Sequence, residues 1–257
     1  MIRLVDDPDE LRAFYGADPG PHIYALADLD EPCWSASRWY RDGDAVVGVV
    51  GLPEGDRVVY AVSSVAPEAT LDMLVELDTE IPAATLLTGP LGLGAALARR
   101  GGRSLAWNRT YHRYVLGDLS AIAAVDTGDV VSLGVDDLDE LEAFYASDPG
   151  AAFFLPSMLE DVTFVGVRSE GRLVAVAGTH VLAPHVRAAA IGAVLTAPES
   201  RGRGLAATVT AGVWRRLEGR ATLVGLNCAD RNVAAQRVYT RLGFEPILQY
   251  EEAEITA

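Results

Sequence analysis

The stretch VLTAPESRGRGLAATV, residues 194–209, passes from an apolar run through a proline-containing turn into a glycine loop and a helical pattern. The apolar run predicts a strand that ends at Thr196. From Leu205 to Leu217, apolar residues recur at helical spacing, which predicts a helix over that range. The stretch therefore predicts a strand, a loop and a helix in direct succession.

The loop between this strand and helix contains Gly202 and Gly204, which alternate with Arg201 and Arg203. Glycine has no Cβ atom, so the backbone N–H groups of the loop can approach an anion closely. The first turn of the following helix adds N–H groups without intrahelical acceptors and the positive end of the helix dipole. Together these groups predict a pyrophosphate site, although glycine and arginine also form ordinary turns.

A second stretch, NCADRNVAAQRVYTRLGFEPI, covers residues 227–247 and begins at the end of a short apolar strand. It predicts a helix from Asn232 to Leu242 and a final strand from Phe244. Tyr239 lies inside this helix. Its spacing from neighbouring small and apolar residues fits a packed core aromatic, and a functional hydroxyl fits the same position.

Two patterns in these stretches resemble the GNAT acetyltransferase family. They are Arg-x-x-Gly-x-Ala at residues 201–206 and Asn-x-x-Ala-x-x-x-Tyr-x-x-x-Gly-Phe at residues 232–244, in the order that the family has them. The resemblance implies an α+β fold, acetyl-CoA as co-substrate and transfer of its acetyl group to an amine. We expect no metal.

The resemblance also implies roles for individual residues. The strand end would bind the pantetheine arm through its backbone, the loop and first helical turn would bind the pyrophosphate, and Asn232 would contact the cofactor. Tyr239 would protonate the departing thiolate as general acid. The expected cofactor-binding residues are Val194, Leu195, Thr196, Arg201, Gly202, Arg203, Gly204, Leu205, Ala206, Ala207 and Asn232.

Acetylation of an amine also requires a base, because an ammonium group cannot attack a thioester. Some family members carry Glu where this chain has Asn227, and an amide cannot accept the proton. His180 on the strand-like run AGTHV is the expected second catalytic residue, and a structural histidine fits that position equally well. Glu251 and Glu252 are weaker alternatives.

The expected acceptor pocket contains three aromatic residues from the predicted helices that cover the active face in this fold. They are Tyr145, Phe153 and Phe154. Core packing explains these side chains about as well. No spacing identifies the acceptor, and we expect a small molecule with a primary amine.

The decapeptide LEAFYASDPG at residues 141–150 repeats LRAFYGADPG at residues 11–20, with identity at seven of ten positions. A repeat of domain length predicts a duplicated fold. We expect two tandem GNAT-like domains, at residues 1–120 and 127–257, each with a mixed central sheet flanked by helices and joined by the linker GDLSAIAAVDTGD. Because DPG occurs in both copies, we expect Asp148 to be a turn residue.

The first half lacks the functional patterns of the second. Its stretch VSSVAPEATLDML has no glycine where the loop would lie, and aligning Gly101 with Gly243 places Leu97 opposite Tyr239. The run GPLGLG resembles a phosphate loop but follows the wrong strand, so we expect a helix start with packing glycines there. The first domain is expected to be a degenerate copy.

Composition limits the classes of function. A net charge of −15 makes nucleic acid an unfavourable partner. No apolar run approaches the roughly 18–20 residues of a membrane span, and the N-terminus MIRLVDDPDE lacks a signal peptide, so we expect a cytoplasmic protein without membrane partners. Cys33 and Cys228 are expected to be thiols. Monomer and homodimer both remain open.

Three functions are compatible with these features. The leading hypothesis is an acetyl-CoA-dependent N-acetyltransferase whose active site lies in the second domain. A catalytically silent acyl-CoA-binding or regulatory module is the alternative that Asn227 favours, and an acyltransferase acting on a thiol or hydroxyl is the third. Tyr239 favours an enzyme, since cofactor binding alone does not require a proton donor.

Overall fold

The computed structural model describes residues 1–52, 55, 57–82, 85–100, 104–148, 152–156, 158–161 and 163–255. Internal contacts divide the chain into two compact units. Unit 1 consists of Met1–Arg113, Ala229–Arg231 and Pro246–Ala257, and unit 2 consists of Tyr114–Cys228 and Asn232–Glu245.

The described residues form eleven elements, counting α-helices and β-strands, in each half of the chain. The first half contains β1 (Arg3–Val5), α1 (Pro8–Gly16), α2 (Ile23–Asp28), α3 (Cys33–Ala36), β2 (Arg38–Asp42), β3 (Ala45–Gly51), β4 (Arg57–Tyr60), α4 (Pro67–Glu76), β5 (Leu86–Gly89), α5 (Leu93–Arg100) and β6 (Leu105–Leu116). The second contains α6 (Leu119–Ala123), β7 (Val130–Leu133), α7 (Leu138–Ala146), α8 (Met158–Asp161), β8 (Phe164–Ser169), β9 (Arg172–Ala183), β10 (Ala188–Thr196), α9 (Leu205–Leu217), β11 (Leu223–Ala229), α10 (Val233–Arg241) and β12 (Phe244–Ile255). Among the described residues, no helix has the length and apolarity that crossing a membrane requires.

The two units repeat one succession of strand pairings. In unit 1, β1 to β4 pair antiparallel in chain order, and β4 then pairs parallel with β5. In unit 2, β7 to β10 pair antiparallel in chain order, and β10 pairs parallel with β11. A parallel pair needs a crossover connection, which α4 provides in unit 1 and α9 in unit 2. The predicted α+β fold with a duplicated mixed sheet is confirmed.

The C-terminal strand completes the sheet of unit 1. β12 pairs antiparallel with β5, from Glu251 opposite Gly89 to Glu254 opposite Leu86. The contact-based units therefore differ from the predicted division at 1–120 and 127–257, because the end of the chain packs with the first half.

Successive residues of β9 in unit 2 belong alternately to two hydrophobic clusters. On β9, Ala175 and Ala177 belong to a cluster with Val209 and Trp214 of α9. Val176, between them, belongs to the other cluster, which includes Leu141 and Phe144 of α7. Successive side chains of a strand point to opposite faces of the sheet, so α9 and α7 cover different faces of β9.

Two local predictions were wrong. Phe153 and Phe154 lie in a stretch without regular structure, and α8 begins only at Met158. Leu155 precedes Pro156, and the helical conformation is disfavoured for a residue that precedes proline.

The expected linker contains α6, which Asp118 caps by accepting a 2.8 Å hydrogen bond from the Ser120 amide. Of the DPG turn after α7, Pro149 and Gly150 lie outside the described residues.

A histidine is buried in unit 1. His22 lies against the Tyr15 ring, with centroids 4.5 Å apart, and its ring nitrogens lie 3.1 Å from the Tyr60 hydroxyl and 3.2 Å from that of Ser64. Burial, with a smaller contribution from the charge of Arg113, lowers the pKa of His22 to about 3. His22 is therefore neutral at physiological pH.

The run GPLGLG forms a carboxylate-binding turn in unit 1. The backbone amides of Gly92 and Gly94 donate hydrogen bonds of 3.1 and 3.0 Å to the Glu251 carboxylate, and Asn108 Nδ2 donates one of 3.1 Å. A Cβ atom at Gly94 would lie 2.4 Å from Asn108 Nδ2, so a larger residue there would displace the Asn108 side chain. The run is thus the predicted helix start, and its anion is supplied by β12.

We expect Glu251→Gln to destabilise the protein by about 1–2 kcal/mol, because the amide loses charge-assisted bonds at the N-terminus of α5. Denaturant unfolding measures the change. The exposed Glu76 provides a charge-matched control, and Glu76→Gln should stay within about 0.5 kcal/mol of the wild type. Equal stability of the two variants would contradict a capping role for Glu251.

Candidate functional site

β10 separates from β11 before it ends. Its parallel ladder with β11 stops at Ile191 opposite Leu226, whereas β10 continues to Thr196 and stays paired with β9 on its other side. Over the described residues, Val194–Thr196 therefore has no strand partner on the β11 side. Its outward backbone groups on that side are positioned to hydrogen-bond an extended ligand, as an added strand would.

A β-bulge accompanies this separation. The register of β10 with β9 shifts between Gly192 and Leu195, and Ala193 between them has φ +52°. The left-handed conformation costs a non-glycine residue about 1–2 kcal/mol. The bulge therefore needs support from its surroundings.

Tyr145 provides that support. Its hydroxyl donates a 2.7 Å hydrogen bond to the carbonyl of Ala193, and its ring stacks on Phe154 with centroids 4.7 Å apart. Burial raises the pKa of Tyr145, so the hydroxyl keeps its proton and remains a donor. Two residues expected in the acceptor pocket are thus brought together behind the bulge.

The glycine loop has the predicted form. Gly202 and Gly204 have φ values of +76° and +82°, and among the described atoms none lies within 4 Å of a Cβ atom built on either residue. Gly204 is the N-cap of α9, so the amides of Leu205 and Ala206 lie in the first helical turn. The Ala207 amide donates a 2.9 Å hydrogen bond to the Gly204 carbonyl and is engaged within the helix.

The two arginines of the loop differ. Arg201 Nε donates a 3.2 Å hydrogen bond to the Thr196 carbonyl, and its guanidinium forms an ion pair with Asp148. Arg203 is exposed. Arg201 therefore anchors the loop to the end of β10, and Asp148, expected only as a turn residue, has a second role as its partner.

Asn232 and Cys228 adjoin the start of α10. Asn232 Oδ1 accepts a 3.1 Å hydrogen bond from the Ala235 amide and caps the helix. The Cys228 Sγ atom lies 3.8 Å from the Asn232 carbonyl oxygen. Burial raises the pKa of Cys228 to about 11, so this thiol is protonated at neutral pH.

Tyr239 is buried on the inner side of α10. Its ring centroid lies 6.4 Å from that of Tyr114 and 6.2 Å from that of Phe244. After the helix, Gly243 has φ +91°, and a Cβ atom there would lie 2.1 Å from the Asp118 carbonyl oxygen. This close approach explains why glycine precedes Phe244 in the pattern, and it fixes the end of the helix that carries Tyr239.

His180 stands beside the bulge on β9. Its ring is parallel to that of Phe153, with centroids 5.3 Å apart and an interplanar angle of 3°. A Cβ atom at Gly192 would lie 2.8 Å from His180 Nδ1, so the imidazole fills the space that glycine leaves. The expected catalytic histidine and Phe153, which is 49% exposed, therefore form one aromatic pair at the bulge.

Sequence reasoning missed the residues that shape the site from behind. Nothing in the pattern marks Ala193 as left-handed or Tyr145 as its hydrogen-bond donor. The Thr196 Oγ1 atom is buried without a hydrogen-bond partner in the described part of the chain. A buried hydroxyl without a partner at the end of the free edge is a group that a bound ligand could satisfy.

Comparisons with known proteins identify relatives of the same fold. Residues 164–253 match the family model of FR47-like protein. Over 98% of this chain and 99% of the other, the structure resembles that of a GNAT-family protein from Novosphingobium aromaticivorans, at 23% identity and a TM-score of 0.62. No curated protein matches the sequence.

Two further solved structures have the same extent. A Drosophila protein matches at 16% identity and a TM-score of 0.73, with 99% of this chain and 98% of that one covered. A tandem GNAT protein from the clavulanic acid biosynthesis pathway matches at 17% identity and a TM-score of 0.57, with 100% and 99% covered. The predicted resemblance to the tandem GNAT type is confirmed at the level of the fold.

We expect Tyr145→Phe to loosen the bulge, because it keeps the ring on Phe154 but leaves the Ala193 carbonyl without its donor. The free energy of unfolding should fall by about 1–3 kcal/mol, and the amides of residues 193–196 should exchange with deuterium faster. Hydrogen-exchange mass spectrometry measures the second effect.

The companion variant Ala193→Gly relieves the strained φ angle. In the double variant Tyr145→Phe/Ala193→Gly, part of the lost stability should therefore return. Wild-type exchange at residues 193–196 in Tyr145→Phe would refute the hydrogen bond as the support of the bulge.

Proposed function

We propose that this chain, which has the tandem GNAT fold and an FR47-like domain in its C-terminal part, transfers the acetyl group of acetyl-CoA to the primary amine of a small molecule. The active site lies in unit 2. One observation carries the proposal: the free edge at Val194–Thr196 leads directly into the glycine loop and the N-terminus of α9.

The described residues fit acetyl-CoA. The free edge supplies backbone groups for the amides of the pantetheine arm, and Thr196 adds a buried hydroxyl without a partner. The loop amides and the first turn of α9 supply donors and a positive dipole end for the pyrophosphate. Arg203 adds an exposed positive charge beside them. The fit therefore extends over both the neutral arm and the charged part of the cofactor.

Unit 1 offers no equivalent fit over its described residues. α4 begins at Pro67 after the N-cap Ala66 and has no glycine loop before it. The N-terminus of α5 has the geometry for an anion, but the Glu251 carboxylate already occupies it. A single cofactor site per chain follows.

In the proposed reaction, the amine nitrogen attacks the thioester carbonyl, the new C–N bond forms and the C–S bond breaks. Tyr239 donates its hydroxyl proton to the departing thiolate, and a base takes the proton that the amine loses. We assign the base to His180, which lies at the bulge beside the proposed cofactor position. The parallel Phe153 ring holds the imidazole in a fixed plane.

Asn227 on β11 favours a second candidate, a silent acyl-CoA-binding module. Tyr239 is 7% exposed and packs in the core cluster of unit 2, as a purely structural tyrosine would. The two candidates share cofactor binding and differ only in turnover. A screen of thiol release from acetyl-CoA against a panel of small amines separates them.

We expect acetyl-CoA to bind once per chain and Gly204→Glu to abolish binding, because a side chain and a negative charge would enter the pyrophosphate position. Gly171, in the β8–β9 turn, is a matched control, since it has φ +80° against +82° at Gly204 and open space around it. Calorimetry should give one site for the wild type and for Gly171→Glu. Two equivalent sites, or retained binding in Gly204→Glu, would contradict the assignment.

We expect Tyr239→Phe to keep cofactor affinity while kcat falls by about ten- to ten-thousand-fold, the range for one general acid. That loss corresponds to roughly 1.4–5.5 kcal/mol of transition-state stabilisation. Tyr114→Phe removes the hydroxyl of the neighbouring buried tyrosine and is the control. Unchanged turnover in Tyr239→Phe, with chemistry rate-limiting, would eliminate the acid role and favour the silent module.

A further inference from the structure

A surface pocket lies along α10, and Tyr239 is not among the residues that line it. It has a volume of about 330 Å³ and is lined by Tyr114, Val233, Gln236, Arg237, Thr240 and Arg241. All six residues belong to unit 2. The volume is at the lower end of the range for small-molecule sites, roughly 300–1,000 Å³. The pocket can therefore accept a compact ligand.

The charge of this pocket is opposite to that of the chain. The net charge is −15, yet the described residues that line the pocket include two arginines and no acid. Arg237 and Arg241 are four residues apart on one helix, a spacing at which like charges repel each other. A bound anion would relieve that repulsion.

Neither arginine is neutralised within the part of the chain that the structure describes. No carboxylate lies within 4.0 Å of Arg237 or Arg241 there, whereas Arg168 in the same unit pairs with both Asp137 and Glu140. The position of Arg241 in the last turn of α10 is favourable for the helix dipole. Arg237 has no such explanation, since it lies in the middle of the helix.

The remaining groups define the rest of the ligand. Thr240, Gln236 and Tyr114 bring polar side chains to the pocket, and Val233, 50% exposed, brings an apolar one. Guanidinium groups bind carboxylates and phosphates through paired N–H donors. The set matches a ligand with one anionic group and a small apolar body.

We propose that this pocket is a binding site for a small organic anion, a carboxylate or phosphate on an apolar body, separate from the acetyl-CoA site. The anionic group lies between Arg237 and Arg241, and the apolar body lies against Val233 and Tyr114. The proposal goes beyond the transferase function, because it requires neither turnover nor cofactor binding.

Calorimetric titration with phenyl phosphate, benzoate and phenol tests the site on the full chain. Phenyl phosphate and benzoate should bind, phenol should not, and the stronger of the two anions identifies the preferred group. If neither anion binds at concentrations up to about 10 mM, the proposal is overturned, because even a binding free energy of a few kcal/mol would be detected in that range.

Paired variants locate the site. Arg237→Gln/Arg241→Gln should weaken anion binding at least about tenfold, because charge-assisted hydrogen bonds are lost. Arg172→Gln/Arg220→Gln removes the same charge from exposed positions elsewhere in unit 2 and should leave affinity unchanged. Equal affinities of the two double variants would place the anion elsewhere and overturn the assignment. Unfolding curves verify that both variants are folded.

The Gly204→Glu variant separates this proposal from the cofactor assignment. Phenyl phosphate should bind to that variant as tightly as to the wild type, and saturating CoA should not displace it from the wild type. Competitive displacement by CoA would show that the pocket is part of the cofactor site, which would overturn a separate one. If the chain does not bind acetyl-CoA, the titration with phenyl phosphate still tests the anion site.

Discussion

The hydrogen bond from Tyr145 to the Ala193 carbonyl is the interaction on which the geometry of unit 2 depends. It holds a non-glycine residue in the left-handed region, and that residue is the bulge at which β10 changes register against β9. Beyond the bulge, β10 remains paired with β9 and is no longer paired with β11. The strained residue thus lies at the start of the free edge, and a partly buried side chain stabilises it.

The duplicated units show that fold and site are separable. Both have the same strand pairings and a crossover helix at the same point. In unit 2 that helix begins at a glycine with open space around it, and in unit 1 the corresponding α4 is capped by Ala66 and begins at Pro67. The anion-binding turn that unit 1 does have lies at α5, where Glu251 satisfies it internally. The same backbone physics therefore stabilises the fold in one unit and is open to a ligand in the other.

The sequence predicted the elements whose signals are local. The end of β10 at Thr196, the extent of α9 and the presence of α10 follow from turn residues and apolar periodicity. It could not predict where β12 pairs, because β6 and β12 are both long strands and only tertiary packing assigns them. Nor could it predict the left-handed Ala193, whose conformation depends on a tyrosine far away in the chain. Phe153 and Phe154 were misplaced on a helix because the effect of Pro156 outweighs their spacing.

Two histidines, His22 and His180, differ in their suitability as the proton acceptor of the proposed reaction. Burial is the main reason that the pKa of His22 in unit 1 is lowered to about 3. An imidazole with so low a pKa is a poor proton acceptor at neutral pH. His180 in unit 2 is half-buried and contacts the bulge through Gly192, so water and a substrate amine can both reach its surroundings. The amine of the proposed substrate is protonated at neutral pH and needs a base at the point of attack. Because the Asn227 amide cannot accept the proton, the proposal assigns that step to His180.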